Sequence, residues 1–258
     1  MSSKSINEPY QALAEIYDYV MRHVDYKAWA IYVDALLQRY GGQGGSLAEL
    51  ACGTGNATVQ FQALGYAVSG IDGSAAMVRT AAEKARLQEV DVKFSQGDLR
   101  ALSGLGPFDA AVCLYDSFNY LRDEGDVEKG LASVYGLLRP GGLFVFDVCT
   151  QRNSLRYFLD ARDQEEGPGF SYRRHSYYQR REALQYNRFH IRFDDRPGEF
   201  EELHTQRIYT TDELLAFIAT SPFELLGLFD GFSFDKGSEY SERIHYALRR
   251  PPDAEEVV

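Results

Sequence analysis

Two sets of apolar residues near the start of the chain recur at helical spacing, and they predict two amphipathic helices. The first set is Tyr10, Leu13, Ala14, Tyr17 and Met21, and the second is Trp29, Tyr32, Val33, Leu36 and Leu37. The segment GGQGG (Gly41–Gly45) then interrupts the pattern, and we expect a flexible joint there.

Short apolar runs and helical stretches alternate over residues 46–150. The runs predict strands at Leu47–Ala51, Ala67–Ile71, Val92–Ser95, Ala110–Leu114 and Leu143–Val148. The stretches between them predict helices at Ala57–Leu64, Ala75–Gln88 and Asp126–Leu138, the last ended by Pro140-Gly141-Gly142. This rhythm is typical of parallel strands joined by right-handed crossovers, so we expect an open, doubly wound, Rossmann-like α/β sheet. Ligands of such sheets bind at the carboxyl ends of the strands.

The pattern changes over residues 151–208. The segments FSYRRHSYYQRR, LQYNRFHIRF and EFEELHTQRIY predict antiparallel strands, with turns at ALQ and DDRPG. A helix over Asp212–Ala219 and strands over Phe223–Phe229 and Arg243–Leu248 are expected to complete the core. We therefore predict a helical lid (1–45), an α/β core (46–150 and 209–258) and an antiparallel insertion (151–208) over the active site.

Composition narrows the class of protein. The chain has 258 residues, of which 45% are hydrophobic, as in an ordinary globular protein. Its net charge of −11 disfavours binding to nucleic acid or to an anionic membrane. Residues 151–210 are rich in arginine, but their eleven Arg are balanced by ten Asp and Glu. We expect no nucleic-acid partner and no membrane partner.

Several features indicate a cytoplasmic protein. No apolar run is long enough to span a bilayer, and MSSKSINEPY lacks the apolar core of a signal peptide. Cys52, Cys113 and Cys149 all lie in apolar segments, so we expect buried free thiols. No histidine pair or Cys-x-x-Cys has the spacing of metal ligands, and we predict no metal site.

The segment LAELACGTGNAT carries the main chemical signal. Gly53 and Gly55 fall where the first core strand turns into a helix, and Glu49 is a carboxylate inside an apolar strand, which needs a nearby donor. Asp72 ends the next strand, 17 residues after Gly55, where a carboxylate can accept both hydroxyls of an adenosine ribose. Thr58 replaces the third glycine of a dinucleotide loop, and no lysine follows as in a P-loop. The loop therefore does not suit phosphates.

Five motifs in order resemble those of class I S-adenosylmethionine-dependent methyltransferases. They are LAELACGTGNAT, SGID, QGDLR, FDAAVCLYDSFNYL and LLRPGGLFVFDV. The resemblance covers residues 10–150 and is greatest to small-molecule members with a helical lid and a β-rich insertion, such as the sugar N,N-dimethyltransferases. It implies a seven-stranded sheet and S-adenosyl-L-methionine as the methyl donor.

The resemblance also implies positions for the donor. The backbone of Ala51, Cys52, Gly53 and Gly55, with Asn56 at the helix start, would face its methionine part. Asp72 would bind the ribose, and Gly73, Met77, Asp98 and Leu99 would surround the adenine. Leu114 and Tyr115 would lie beneath the sulfonium, and Tyr17 would close over the methionine end. Aromatic faces suit such a cation.

The acceptor side is expected beyond Tyr115. The candidates are Tyr115, Asp116, Asn119, Tyr120, His204, Arg207 and Tyr209. Tyr115, Asn119 and His204 are the catalytic candidates, with His204 either a general base or a structural histidine. Arg207 either fixes an anionic substrate group or pairs with Glu201 or Glu202.

These features together predict an enzyme that methylates a small molecule on an amine or hydroxyl by in-line displacement. The alternatives are a methyltransferase of RNA or protein, a non-catalytic S-adenosylmethionine-binding module and a nicotinamide oxidoreductase, which the absent third glycine disfavours. We expect a monomer or a homodimer.

Overall fold

The computed structural model describes residues 6–42 and 44–253. Residues 1–5 of the N-terminal segment and Gln43 of the predicted joint lie outside the described residues. The strands are β1 (Ile6–Asn7), β2 (Ser46–Leu50), β3 (Ala67–Asp72), β4 (Lys93–Gln96), β5 (Phe108–Cys113), β6 (Leu138–Cys149), β7 (Asp160–Gly167), β8 (Phe170–Gln179), β9 (Leu184–Phe193), β10 (Arg196–Arg207), β11 (Glu224–Asp230) and β12 (Arg243–Arg249). The helices are α1 (Leu13–Val20), α2 (Tyr26–Arg39), α3 (Asn56–Ala63), α4 (Ala75–Leu87), α5 (Glu124–Leu137), α6 (Gln151–Tyr157) and α7 (Thr211–Thr220), with a 3₁₀ turn at Ser117–Tyr120.

Seven strands form the core sheet in the order β11-β12-β6-β5-β2-β3-β4. The five strands from β6 to β4 run parallel, and β12 is antiparallel to both of its neighbours. The predicted doubly wound α/β fold is confirmed. The strand order reverses between β5 and β2, which is where such sheets bind ligands.

The core strands are buried on both faces, which explains their continuous apolar runs. Ala48 and Leu50 pack with α5 and α7 on one face. Leu47, which directly precedes Ala48, packs with α2 and α3 on the other face. Because successive side chains of a strand point to opposite faces, one short run supplies both layers.

The second sheet has five strands in the order β1-β10-β9-β8-β7. The predicted hairpins of β8, β9 and β10 are present, and α1 packs on them through Leu13, Ile16, Phe189 and Ile191. The sheet also contains β7 and β1, neither of which was predicted. The segment of β7, DARDQEEG, has no apolar face, so its pattern carries no strand signal.

Three local predictions are wrong. The turn placed at ALQ is instead Arg180–Ala183, because Leu184 and Gln185 already pair in β9, and Ala183 takes the left-handed φ of 51°. At DDRPG, only Asp194 and Asp195 form the turn. The fifth helix ends at Leu137, and Pro140–Gly142 lie within β6 rather than in a loop.

Candidate active site

An open cleft lies at the carboxyl ends of β2 and β5, beneath α1 and α2. Seven of the predicted site residues line this cleft: Tyr17, Ala51, Cys52, Gly53, Asn56, Leu114 and Tyr115. Tyr26, Trp29 and Glu49 also line it. The aromatic rings form one wall and the glycine-loop backbone forms the other.

The two glycines of the loop have different functions. At Gly53, where φ is 56°, an added Cβ would meet only the Tyr17 ring edge at 3.7 Å, so the bare backbone faces the cleft. At Gly55, where φ is 79°, a Cβ would lie 2.9 Å from the Phe94 ring, beneath the start of α3. The expectation that Gly55 clears space for a ligand is therefore corrected, because Phe94 packs against that position.

Asp72 holds the glycine loop against the end of β3. Its two carboxylate oxygens each accept one amide hydrogen, from Gly53 N and from Ser74 N, both at 2.8 Å. Burial raises the pKa of Asp72, and the two amides partly oppose that shift. Each oxygen retains a lone pair, so the carboxylate can still accept the two hydroxyls of a ribose.

Glu49 is the buried carboxylate that the sequence marks as costly. It lies at the cleft floor and accepts a hydrogen bond from the Thr58 hydroxyl, which is the nearby donor that its position requires. Burial raises the pKa of Glu49 to about 8. At neutral pH the group is mostly a neutral acid, unless a cation binds beside it.

The residues predicted to surround an adenine lie at the ends of β3 and β4, and none of them lines the cleft. Asp98 is half-exposed and accepts a forked pair of bonds from Arg100, which lowers the pKa of Asp98. Gly73 is exposed, and Leu99 packs against the core. Met77 is 1% exposed within α4, so it is a core residue.

Asp18 fastens α1 to the glycine loop. Its carboxylate accepts hydrogen bonds from the Thr54 hydroxyl at 2.5 Å and the Asn56 amide at 2.9 Å, and it pairs with Lys84 at 2.5 Å. These contacts place Tyr17, the preceding residue, over Gly53. The sequence points to Tyr17 but not to Asp18, because nothing near Asp18 in sequence reveals its three partners.

A buried charge network shapes the loop after β5. Tyr115 and Asp116 both adopt left-handed φ angles, 59° and 53°, which cost energy without glycine. Asp147 compensates by accepting both of their amide hydrogens, at 2.6 and 2.9 Å. Arg243 bonds to Asp147 and, at 2.8 Å, to Asp116. Its guanidinium also lies 5.2 Å from the Tyr115 ring centroid. Asp147, like Glu49, is a carboxylate in an apolar strand, a signal that could have revealed it.

Three side chains predicted to contact the substrate instead bond to groups outside the cleft. Asn119 is fully buried, and its amide bonds to the Arg207 carbonyl and the Cys149 N–H, so it does not reach the cleft. Tyr209 is buried and donates to the Leu121 carbonyl at 2.5 Å. Arg207 pairs with Glu213 at 3.1 Å rather than with Glu201 or Glu202.

His204 is 2% exposed and does not line the cleft. Its ring nitrogens lie 3.1 Å from the Tyr120 hydroxyl and 3.3 Å from Glu202 Oε2. Glu202 also accepts the amide hydrogens of Tyr10, Ala12 and Leu13, and so attaches the start of α1 to β10. Any chemistry of His204 must therefore pass through Tyr120.

The cleft fits S-adenosylmethionine. The half-buried Gly53 backbone suits an amino acid portion, and the rings of Tyr17, Trp29 and Tyr115 suit a sulfonium. Asp72 lies outside the cleft lining but bonds to Gly53, and its free lone pairs suit a ribose. Within residues 6–42 and 44–253 no group of three or more His, Cys, Asp or Glu side chains is arranged to hold a metal ion. In the same ranges no helix is long and apolar enough to cross a membrane.

Comparisons with known proteins agree with this geometry. A family model described as a methyltransferase domain matches residues 47–142. A methyltransferase-family protein of Geobacillus sp. (strain WCH70) is 31% identical over 247 residues, which are 93% of this chain and 99% of that protein.

Two solved structures share the fold over nearly the whole chain. An S-adenosylmethionine-dependent methyltransferase of Clostridium acetobutylicum ATCC 824 has a TM-score of 0.78 at 26% identity and covers 94% of this chain and 99% of its own. The sugar N-methyltransferase KedS8 of Streptoalloteichus sp. ATCC 53650 has a TM-score of 0.72 at 24% identity and covers 95% and 98%. The chain belongs to the class I S-adenosylmethionine-dependent methyltransferases.

Proposed function

We propose that this enzyme methylates a small molecule, on an amine or a hydroxyl. The observation that carries the proposal is that α1 covers the carboxyl ends of the core strands and is attached on both sides. Asp18 attaches α1 to the glycine loop, and Glu202 attaches the start of α1 to the second sheet. The acceptor must therefore approach the strand ends beneath a helix that is attached on both sides, which suits a small molecule better than a polymer.

The residues of the protein align the methyl donor with the nucleophile. S-adenosylmethionine supplies an electrophilic methyl group on a sulfonium. The Gly53 backbone and Asp72 would hold the donor, and Tyr17 and Tyr115 would shield it from water. Displacement of this kind depends mainly on placing the nucleophile in line with the methyl group. The strained Tyr115–Asp116 backbone fixes the wall beside that approach.

A nitrogen acceptor is the more favoured of the two choices. The structure of KedS8, a sugar N-methyltransferase, covers nearly the whole of this chain, including its lid and insertion. An amine also needs no strong base, because it can lose its proton before it binds. RNA or protein methylation is the competing function, and the net charge of −11 opposes an RNA substrate.

The test combines binding with the fate of the methyl label. By calorimetry, S-adenosylhomocysteine should bind the wild type, and Asp72→Ala should bind it at least tenfold more weakly, since it loses the ribose acceptor and the Gly53 anchor. Next, labelled S-adenosylmethionine is added to a bacterial extract divided into small-molecule and macromolecular fractions. Label should enter the small-molecule fraction, and in a nitrogen-bound form. Label confined to RNA or protein would overturn the proposal, as would failure to bind the nucleoside.

A further inference from the structure

Four side chains behind α1 form an unbroken hydrogen-bonded chain. Glu202 Oε2 lies 3.3 Å from His204 Nε2, and His204 Nδ1 lies 3.1 Å from the Tyr120 hydroxyl. The hydroxyls of Tyr120 and Tyr10 are 2.6 Å apart. Glu202 and His204 are buried, whereas Tyr10 is only half-buried and its ring centroid lies 6.0 Å from that of Tyr17 in the cleft wall. The chain thus runs from a buried carboxylate towards the cleft.

Tyr10 is held at the open end of this chain by its own backbone. Its φ of 64° is a left-handed conformation that a residue with a Cβ rarely adopts. Its N–H donates to Glu202 at 2.7 Å, and its carbonyl accepts from the Ser74 hydroxyl at 3.0 Å. Ser74 follows the ribose candidate Asp72 by two residues. Tyr10 is therefore fixed between the second sheet and the donor end of the core.

The buried carboxylate sets the direction of every bond in the chain. Burial opposes ionisation of Glu202, but bonds from His204 and from the amides of Leu13 and Ala12 lower its pKa below the ordinary value. An ionised carboxylate only accepts hydrogen bonds, so Nε2 of His204 carries a hydrogen. A ring that is to receive a proton has no hydrogen on its second nitrogen, so in that role Nδ1 accepts and Tyr120 donates to it. Because Tyr120 has no second hydrogen, Tyr10 donates to Tyr120.

The oxygen of Tyr10 is left with acceptor capacity and no hydrogen to offer. The hydrogen-bonded chain therefore ends at Tyr10, next to the cleft-lining residue Tyr17, as a hydrogen-bond acceptor. Such an end fits a group with an N–H or an O–H, and it does not fit a group without one. This inference rests on the proposed function and deepens it. It predicts that the enzyme prefers substrates whose nucleophilic atom carries a hydrogen.

We propose that Tyr10 binds the nucleophilic nitrogen or oxygen of the acceptor through its hydrogen, and that Tyr120, His204 and Glu202 remove the proton. The acceptor atom forms its new bond to the methyl carbon as the S–C bond breaks, and the electron pair of that bond stays on sulfur. The acceptor atom then carries one proton too many. That proton passes to Tyr10, the Tyr10 proton to Tyr120, and the Tyr120 proton to Nδ1 of His204.

The end state of this transfer is consistent with the surroundings. Burial raises the pKa of both Tyr10 and Tyr120, so neither hydroxyl stays ionised, and the protons move along together. The resulting imidazolium lies beside the Glu202 carboxylate, and the Phe189 ring packs on its other side. Tyr10 is the catalytic residue in this scheme, and Tyr120, His204 and Glu202 are positioning residues that act through it.

The test is nuclear magnetic resonance of the histidine nitrogens in the complex with S-adenosylhomocysteine, which needs no turnover. His204→Asn assigns the signals. We expect the neutral ring with hydrogen on Nε2, and a loss of the Nδ1 hydrogen bond in Tyr120→Phe. The matched control is Tyr209→Phe, which removes another buried hydroxyl near the same 3₁₀ turn and should leave His204 unchanged.

Two probes of equal charge then test the open end. Methylammonium offers N–H groups and tetramethylammonium offers none. Methylammonium should shift the His204 signals in the wild type and not in Tyr120→Phe, and tetramethylammonium should shift them in neither. Hydrogen on Nδ1, or an equal response to both cations, would overturn the proposal. If these signals behave as expected but no small molecule is methylated, the proposed function is wrong, while the proposed hydrogen-bonded chain from Glu202 to Tyr10 is still supported.

Discussion

The two sides of the cleft are built over different distances along the chain. On the donor side, Gly53 bonds to Asp72, 19 residues away, and Glu49 bonds to Thr58, 9 residues away. On the acceptor side, Asp116 pairs with Arg243 across 127 residues, and Glu202 reaches Leu13 across 189. The glycine loop and its two carboxylates are therefore in place once one strand–helix–strand unit folds. The acceptor side exists only after the second sheet, α1 and β12 have docked.

This difference separates what mutations should do. Changes on the donor side should alter ligand binding with modest effects on folding. Changes in the long-range network of the acceptor side should alter the free energy of unfolding, because that network joins separate elements of the fold.

The largest effect is expected for Arg243→Met. This change leaves Asp147 buried without its charged partner, and breaking one side of a buried pair costs about 3–5 kcal/mol. Urea unfolding followed by circular dichroism measures the loss. The control is Arg249→Met on the same strand, whose bond to Glu224 is 3.4 Å long and more exposed. A loss in Arg249→Met as large as that in Arg243→Met would contradict the special role of the buried network.

The next largest effect is expected for Gly53→Leu, which fills the space between the glycine loop and Tyr17. S-adenosylhomocysteine should bind about 100-fold more weakly, a loss of about 2.7 kcal/mol in binding free energy. Gly55→Ala is the control. Its Cβ would press on Phe94, so it should lower the free energy of unfolding by about 1–3 kcal/mol. Both substitutions strain a left-handed backbone, so binding decides the comparison: binding lost at Gly55 and kept at Gly53 would refute the assignment.

The sequence predicts the donor side because its parts are close neighbours along the chain. Gly53 and Asp72 end adjacent parallel strands, so their meeting follows from the fold class alone. Glu49 was visible as a carboxylate in an apolar run, and Asp147 carries the same signal. What no local pattern reveals is a partner, such as Arg243 for Asp147, 96 residues away.

The acceptor side also shows why residue type alone misleads. Asn119 and Tyr209 have the chemistry of site residues, but both are used to satisfy backbone groups inside the fold. Buried backbone groups need such partners wherever regular pairing stops, as it does around the 3₁₀ turn. A sequence does not show which polar side chains serve that need.

A smaller effect, with a defined pH dependence, is expected for Glu49→Gln. Since the folded state raises the pKa of Glu49 from 4.5 to about 8, the wild type binds this proton more tightly when folded. Its free energy of unfolding therefore falls as pH rises from about 4.5 to 8. Glu49→Gln should therefore be more stable than the wild type at pH 8 and equally stable near pH 4. Thermal unfolding at both values measures this, and an equal difference at both would contradict it.

The smallest effect is expected for Arg207→Gln, which tests whether this arginine binds substrate. Its guanidinium bonds to the Glu182 carbonyl at 2.6 Å and pairs with Glu213 at 3.1 Å, and both charged side chains are partly exposed. Pairs of this kind contribute about 0–1 kcal/mol, and salt screens them. The loss of stability should therefore be under about 1 kcal/mol in dilute buffer and smaller still in 1 M salt. A large increase in KM for the acceptor with unchanged stability would instead return Arg207 to the substrate side. An unchanged KM would mean that Arg207 does not bind the acceptor. The acceptor side would then be built by residues whose partners are distant in sequence, such as Asp116 and Glu202.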